Sequence, residues 1–564
     1  MKKLVLSMAI VVLVAAVACP LLAQADKAVE LKPVAVVSLP SYENCMADLK
    51  WLDAITDRPH LSEGVEGMLI FATGGVGIDG FDKTRPAGLY AATDGEHVGA
   101  CLFLPVTDLG KLIEAVKIWD EEKVTTHDDG IYEIRGPRKT VYVQETHPGW
   151  AYVVENKDHF RHVPEDPAKL LDGLSGRYDV GARVYVANLP EECREKLVAN
   201  LKKKLHKAAE RHHAKRKHRH EWNPEAAEHV HQHIMKAARD LETVTLGMSL
   251  EADRKQGVLE ISVTAREGTK AAEQFALLAA MKSDFAGFQL PEAAVTGRIT
   301  VQCPGMPSER LDAMVERMRQ HAYDHIAKKD KSEEQGAAAR KVVDTVLDVV
   351  KQTAAEGRHD GAISVAAGEK AATLIAARRV ADGPKLEKAV KMAVEQLRKE
   401  HPDKAEMITL DAESYHGVNL HAASLPIPEE CPHHDETVQA VGEQLQIVLG
   451  IGPKAVYVAA GRDAMKSLKE ALDRSEEMRE STAAPMEWVV VLGRVVEFAE
   501  EFGPPECRAK ADKASDLLDK AEGRDRVRVT AVPQERGLTI RAEFDEGVLR
   551  VMNAMKRHHR PRHE

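Results

Sequence analysis

The densest concentration of metal-ligating side chains in the chain lies between Lys202 and Leu241. His206, His212, His213, His218, His220, His229, His231 and His233 are eight of its 25 histidines. His229 and His233 stand four residues apart, so on a helix their imidazoles share one face and can hold a single ion between them. Glu225 lies one turn earlier on that face as a third donor, and His231, His212 and His213 complete the candidate set. Neutral imidazole suits Zn, Cu or Ni. Against this, the tract lacks the ligand spacing of a closed zinc site. Its first half also carries nine Lys or Arg against one acid, Glu210, between Lys202 and Arg219, which repels a cation. The alternative is a solvated helix pair in which His is one polar residue among others. The basic half then offers a docking surface for an anionic protein or envelope component.

Other reactive residue types are less organised. Cys431-Pro432-His433-His434-Asp435 gathers ligand atoms without a second half. Gly74 to Gly80 is glycine-rich but lacks the Lys-Ser/Thr of a phosphate loop and reads as a turn. Gly-x-Ser-x-Gly and His-Glu-x-x-His are both absent, so no catalytic residue is nominated. The acid pairs Glu191/Glu192 and Glu429/Glu430 follow prolines and read as helix first turns, where carboxylates favour the helix dipole.

These residues must be positioned by a folded scaffold, and internal similarity indicates which. ACLFLPVTDLGKLIEAVKIW from Ala100 and ATLIAARRVADGPKLEKAVKM from Ala372 each read as a strand, an Asp at a turn (Asp108, Asp382) and an amphipathic helix. Hairpin-like stretches follow both, around Tyr132 and Tyr142 and around Tyr415 and Tyr457. The segments ending near Cys193 and Cys507 match, as do TVTLGMSLEADRKQGVLEISVTAREGTKAAEQF and RVRVTAVPQERGLTIRAEFDEGVLRVM. The entries near Pro40 and Pro304 match as well. The expected organisation is two tandem related modules, 26–290 and 291–556, followed by a basic tail over 557–564. Alternation in Leu259-Glu260-Ile261-Ser262-Val263 puts the three apolar residues on one face. The helix expected over 385–397 carries Leu386, Ala389, Val390, Ala393 and Leu397 at helical spacing. Each module therefore reads as α+β, a mainly antiparallel sheet packed with helices. The first has an additional helical hairpin over about 194–240, with Asn223 and Pro224 opening its second helix.

Residues 1–25 read as a signal peptide: Met1-Lys2-Lys3, an apolar run from Leu4 to Val17, and Ala23-Gln24-Ala25 before a cut at Asp26. A lipoprotein reading of Ala16-Val17-Ala18-Cys19 is disfavoured by its first position and by Pro20. The expected location is periplasmic or extracellular. Cleavage removes two lysines and so deepens a net charge of −11, which disfavours nucleic acid as a partner. No later apolar run is long enough to span a bilayer. Hydrophobic residues at 44% and charged residues at 30% suit a packed globular chain, and aromatic content of 4% argues against stacking platforms. Cleavage leaves Cys45, Cys101, Cys193, Cys303, Cys431 and Cys507, whose pairing, if any, spacing does not select.

The leader, the repeated module and phrases such as YDVGARVYVANLPEECREKL, FAGFQLPEAA and GIGPKAVYVAAGRDAM resemble a group of large exported proteins of planctomycete bacteria. The resemblance implies an envelope or extracellular location and assigns no activity. The leading expectation is an exported, non-enzymatic binding or structural protein. The alternatives are divalent transition-metal binding or buffering by the His-rich hairpin, and a hydrolase whose site has no recognised motif.

Overall fold

The computed structural model describes residues 31–557, apart from 57–59, 74, 76, 96–97, 118–123, 137–138, 197–198, 200–238, 303–307, 329–331, 369–370, 432 and 480–483. The described residues fall into two compact units, 31–273 with 536–539, and 274–535 with 540–557. The architecture is α+β, and among the described residues no helix is long and apolar enough to cross a membrane.

The strands of the first unit are β1 (Lys32–Leu39), β2 (Ala87–Thr93), β3 (Val98–Pro105), β4 (Val124–Thr126), β5 (Tyr132–Arg135), β6 (Thr140–His147), β7 (Trp150–Val154), β8 (Val180–Tyr185), β9 (Leu241–Glu251) and β10 (Gln256–Ala265). They pair antiparallel in the order 4-5-6-7-3-2-1-8-9-10. The remaining strands are β11 (Val295–Gln302), β12 (Arg358–Gly368), β13 (Ala371–Arg379), β14 (Ile408–Tyr415), β15 (Val418–Pro426), β16 (Gln444–Gly452), β17 (Ala455–Gly461), β18 (Met486–Val491), β19 (Arg526–Gln534) and β20 (Gly537–Asp545). Their order is 14-15-16-17-13-12-11-18-19-20, the first order with ten added to each number.

Helices enter at matching points. Helices 42–56 and 61–72 follow β1, as 308–327 and 333–356 follow β11; helix 109–117 follows β3, as 383–400 follows β13. The last pair starts the same way. Asp108 Oδ1 accepts the Lys111 amide at 3.2 Å, and Asp382 Oδ1 accepts the Lys385 amide at 2.9 Å, so each aspartate satisfies an amide of the first turn. Ser332 and Gln335 form a capping box on helix 333–356, which ends on Gly357 at φ +67°. His416 and Gly417, at φ +49° and +75°, make the two-residue turn that joins β14 to β15.

The first unit packs Val36, Phe103, Trp150, Tyr152, Leu171 and Leu174 into its core. The alternation expected in β10 is present with its faces reversed: Glu260 is buried and Ile261 is 47% exposed. Tyr178 accounts for this. Its ring lies over Gly247, and its hydroxyl donates to Glu260 Oε2 at 2.6 Å, while Arg177 pairs with the same oxygen at 2.7 Å. A buried carboxylate is tolerated where donors replace water.

In the second unit Phe285, Phe288, Ile375, Leu420 and Leu468 form the core. Residues 283–290, which the sequence pattern assigns to the end of the first module, are tied to β12 in the second unit. Ser283 Oγ and the Asp284 amide each donate to Asp360 at 2.7 Å, and Thr300 Oγ1 donates at 2.9 Å. Ser364 Oγ donates to the Phe288 carbonyl and accepts from the Leu290 amide at 3.2 Å. The segment thereby inserts Phe285 and Phe288, side chains whose burial contributes about 1.5–3 kcal/mol each. Glu191 and Glu192 open a helix as expected, whereas Glu429 and Glu430 lie in a turn.

Two glycine substitutions separate close packing from helix propensity. A Cβ on Gly287 would lie 2.2 Å from the Ser475 amide nitrogen, so Gly287→Ala should destabilise the second unit by about 3 kcal/mol. Gly64, inside helix 61–72, has nothing within 4 Å of its would-be Cβ, so Gly64→Ala should be neutral or stabilise by about 0.5–1 kcal/mol. Denaturant midpoints of the two variants measure the contrast.

Candidate functional site

Four charged or titratable side chains meet on one face of the second unit. In β15, Val418 and Leu420 point into the core beside Leu468, so the alternating residues Asn419 and His421 point to the opposite face. Helix 383–400 lies there and presents Glu387 and Lys391, four residues apart and so on one side of the helix. Strand β14 contributes Asp411. Its ladder to β15 pairs Thr409 with Ala422 and Glu413 with Leu420, leaving 410–412 bulged opposite His421. Asp411 sits in this bulge at φ +52°, a conformation uncommon outside glycine.

The hydrogen bonds define the cluster. The Asp411 amide donates to His421 Nδ1 at 2.9 Å. Lys391 Nζ lies 2.8 Å from Glu387 Oε1 and 2.9 Å from Asp411 Oδ2, bridging both carboxylates. Asn419 Nδ2 donates to the two Glu387 oxygens at 3.1 and 3.2 Å. The His421 side chain is 3% exposed, and its Nε2 has no hydrogen-bond partner, the nearest carboxylate oxygen being Glu387 Oε1 at 3.8 Å. Burial pushes the His421 pKa below its ordinary value and the Lys391 ammonium adds to that shift, while Asp411 and Glu387 oppose it. The Lys391 bond holds the Asp411 carboxyl below the usual carboxylate range, and the bonds to Glu387 and Asp411 raise Lys391.

Glu387, Asp411 and His421 bring one donor atom each within 4.8 Å of one another, a set whose chemistry suits a divalent transition metal. The proton positions do not fit. Nδ1 accepts the Asp411 N–H, so in the neutral ring Nε2 carries the proton and offers Glu387 a donor rather than a lone pair. The cation these carboxylates need is already supplied by Lys391. The arrangement instead keeps a buried imidazole neutral while its bonded nitrogen supports the bulge.

The sites nominated from the sequence are distributed differently. His229, His233, Glu225, His231, His212 and His213 lie outside the described residues, as does nearly all of the hairpin over 194–240. His433 and His434 turn to their own helix, His434 Nδ1 to Asp435 at 3.1 Å and His433 Nδ1 to Glu436 at 3.9 Å. Gly75, Gly77 and Gly80 take positive φ, as a turn requires. Cys45, Cys101 and Cys507 are free thiols, and burial pushes Cys101 up to about 12. Sequence reasoning passed over the cluster because it read 385–397 only as an amphipathic helix and His421 only as part of a hairpin. The Glu387–Lys391 spacing was visible, but nothing local pointed that pair at His421.

A second perturbed group lies in the first unit. Asp48, on helix 42–56, is raised to about 7 by burial and then by the nearby Asp179 carboxylate. An open groove of about 700 Å³ runs past Gln352, Glu356, Asp382, Pro384, Pro453 and Lys454. Asp382 there caps its helix, and Lys454 bonds the Ala381 carbonyl and lies 3.7 Å from Glu356.

Compared with protein-family models, curated proteins and solved structures, the chain matches none.

Two outcomes test these assignments. A carboxyl whose folded pKa is raised favours folding while protonated and loses that contribution as pH climbs from its unfolded value to about 7. Asp48→Asn should therefore raise the thermal midpoint at pH 8, with the gain fading toward pH 4. His421→Ala removes the acceptor of the part-buried Asp411 amide, a loss of about 1 kcal/mol by chemical denaturation at pH 7.5.

Proposed function

We propose that this chain is an exported, non-enzymatic binding or structural protein in which one α+β scaffold is used twice, descended from a duplicated ancestral unit. The carrying observation is the shared pairing order, 4-5-6-7-3-2-1-8-9-10 repeated with an offset of ten and with helices at matching points. A shared ten-strand order with an interior first strand supports duplication over chance similarity of sequence patterns. The charged groups described above support the same reading. Lys391 is spent on Glu387 and Asp411, Arg177 on Glu260, and Lys454 on Glu356, arrangements that serve architecture rather than an incoming substrate. The leader read in residues 1–25 and the resemblance to exported planctomycete proteins support a role for such a scaffold in the cell envelope or outside it.

The deciding experiment is affinity capture of the mature protein from its own envelope, followed by a two-component binding assay with the recovered partner and metal analysis of the purified chain. The expected outcome is one envelope component recovered in stoichiometric amount that binds the purified protein directly. Bound Zn, Cu or Ni that is lost in His229→Ala/His233→Ala would instead support metal buffering by the hairpin. Turnover of ester, glycoside or peptide substrates by the purified chain would overturn the non-enzymatic reading.

A further inference from the structure

We propose that His421 is an acid-released latch on strand β14. In its neutral form it holds the 410–412 bulge through the Asp411 amide, and protonation at Nδ1 lets the bulge go. Among the described residues β14 pairs only with β15, so it lies at the edge of its sheet. Its bulge is held to the body of the unit by the Asp411 N–H donated to Nδ1 and by the Lys391 bridge to the Asp411 carboxylate.

Adding a proton reverses the first of these contacts. The solvent proton takes the Nδ1 lone pair, so the Asp411 amide loses its acceptor and faces an N–H instead. Each nitrogen of the imidazolium then has a carboxylate oxygen 3.8 Å away, Asp411 Oδ1 from Nδ1 and Glu387 Oε1 from Nε2. The Nε2–H, which has no hydrogen-bond partner in the neutral state, becomes a charged donor facing Glu387. Both carboxylates are those that Lys391 bridges, so the new cation competes with the ammonium, which is partly exposed and free to swing into water.

The charge count favours the exchange. Two carboxylates and one ammonium leave the cluster with one net negative charge, which the proton cancels. The charged groups facing the ring are Glu387 and Lys391 from helix 383–400 and Asp411 from β14; on β16 its paired neighbour is Leu449, which does not titrate. Because His421 is held below the ordinary histidine value, release occurs below about pH 6.5. The sign follows from linkage. The unfolded chain binds this proton more readily than the folded one, so the stability contributed by neutral His421 is complete above that value and is lost as pH falls toward the folded pKa.

Amide hydrogen exchange over 408–415 at pH 7.5 and pH 5.0, corrected for intrinsic exchange rates, tests the latch. In the wild type, protection of the Asp411 amide should be high at pH 7.5, should fall by up to about tenfold per pH unit as pH drops from about 6.5 toward the His421 midpoint, and should level off below it. His421→Asn keeps an acceptor oxygen near the Nδ1 position and cannot titrate, so its bulge should stay protected at both pH values. Equal protection of the wild type at both values, or equal loss in His421→Asn, would overturn the proposal. A second measurement does not depend on that variant folding. The NMR titration midpoint of His421 should move up in Lys391→Met, because the competing ammonium is gone, and an unchanged midpoint would also overturn it.

Discussion

In both units the first strand ends up inside the sheet, and the rest of each structure follows from that. β1 is hydrogen-bonded to β2 on one side and to β8 on the other, and β11 likewise to β12 and β18. Residues 295–299 therefore cannot complete their ladder until the chain has returned at 486–490. Everything between folds back as the run β12–β13–β17–β16–β15–β14. Pairing of this kind is non-local and carries its loop-closure cost before its contacts form.

Polar burial is concentrated where these long-range pairings are locked. Asp360 on β12 accepts from Ser283, Thr300 and the Asp284 amide, tying the segment before β11 to β11 itself and to its neighbour. Glu260 on β10 has the same relation to Tyr178 and Arg177, which precede β8. A buried carboxylate is costly unless its lone pairs are filled, so each such group tolerates little displacement of its donors. The close approaches at Gly247, under the Tyr178 ring, and Gly287, against the Ser475 amide, impose the same restriction through sterics. These contacts contribute specificity of register more than net stability.

The cluster at His421 belongs to the same logic and adds a titratable member. Four of its residues, Glu387, Lys391, Asn419 and His421, are placed by regular elements, and the fifth, Asp411, is placed by an irregularity. A bulge at a sheet edge disrupts the flat row of free amides that would otherwise template another strand. Holding that bulge with a histidine makes the local geometry depend on proton activity, which a serine or asparagine in the same place would not do.

Much of the scaffold was readable in the chain itself. Asp108 and Asp382 announce helix starts because a short carboxylate before an amphipathic run can satisfy first-turn amides wherever the helix sits. Period-two and helical spacing indicated the α+β class and antiparallel strands for a similarly local reason, since side chains alternate along any strand and recur along any helix. What alternation could not say was which face is inside. Glu260 went in and Ile261 out because Tyr178, far away in sequence, supplies the donor. Nor could local pattern assign 283–290, whose two phenylalanines suit either core until Asp360 and Ser364 claim the backbone. The meeting of Glu387, Asp411 and His421 is likewise a product of tertiary structure alone. A helix, a bulge and a strand bring them together, and no spacing along the chain encodes a distance that packing sets.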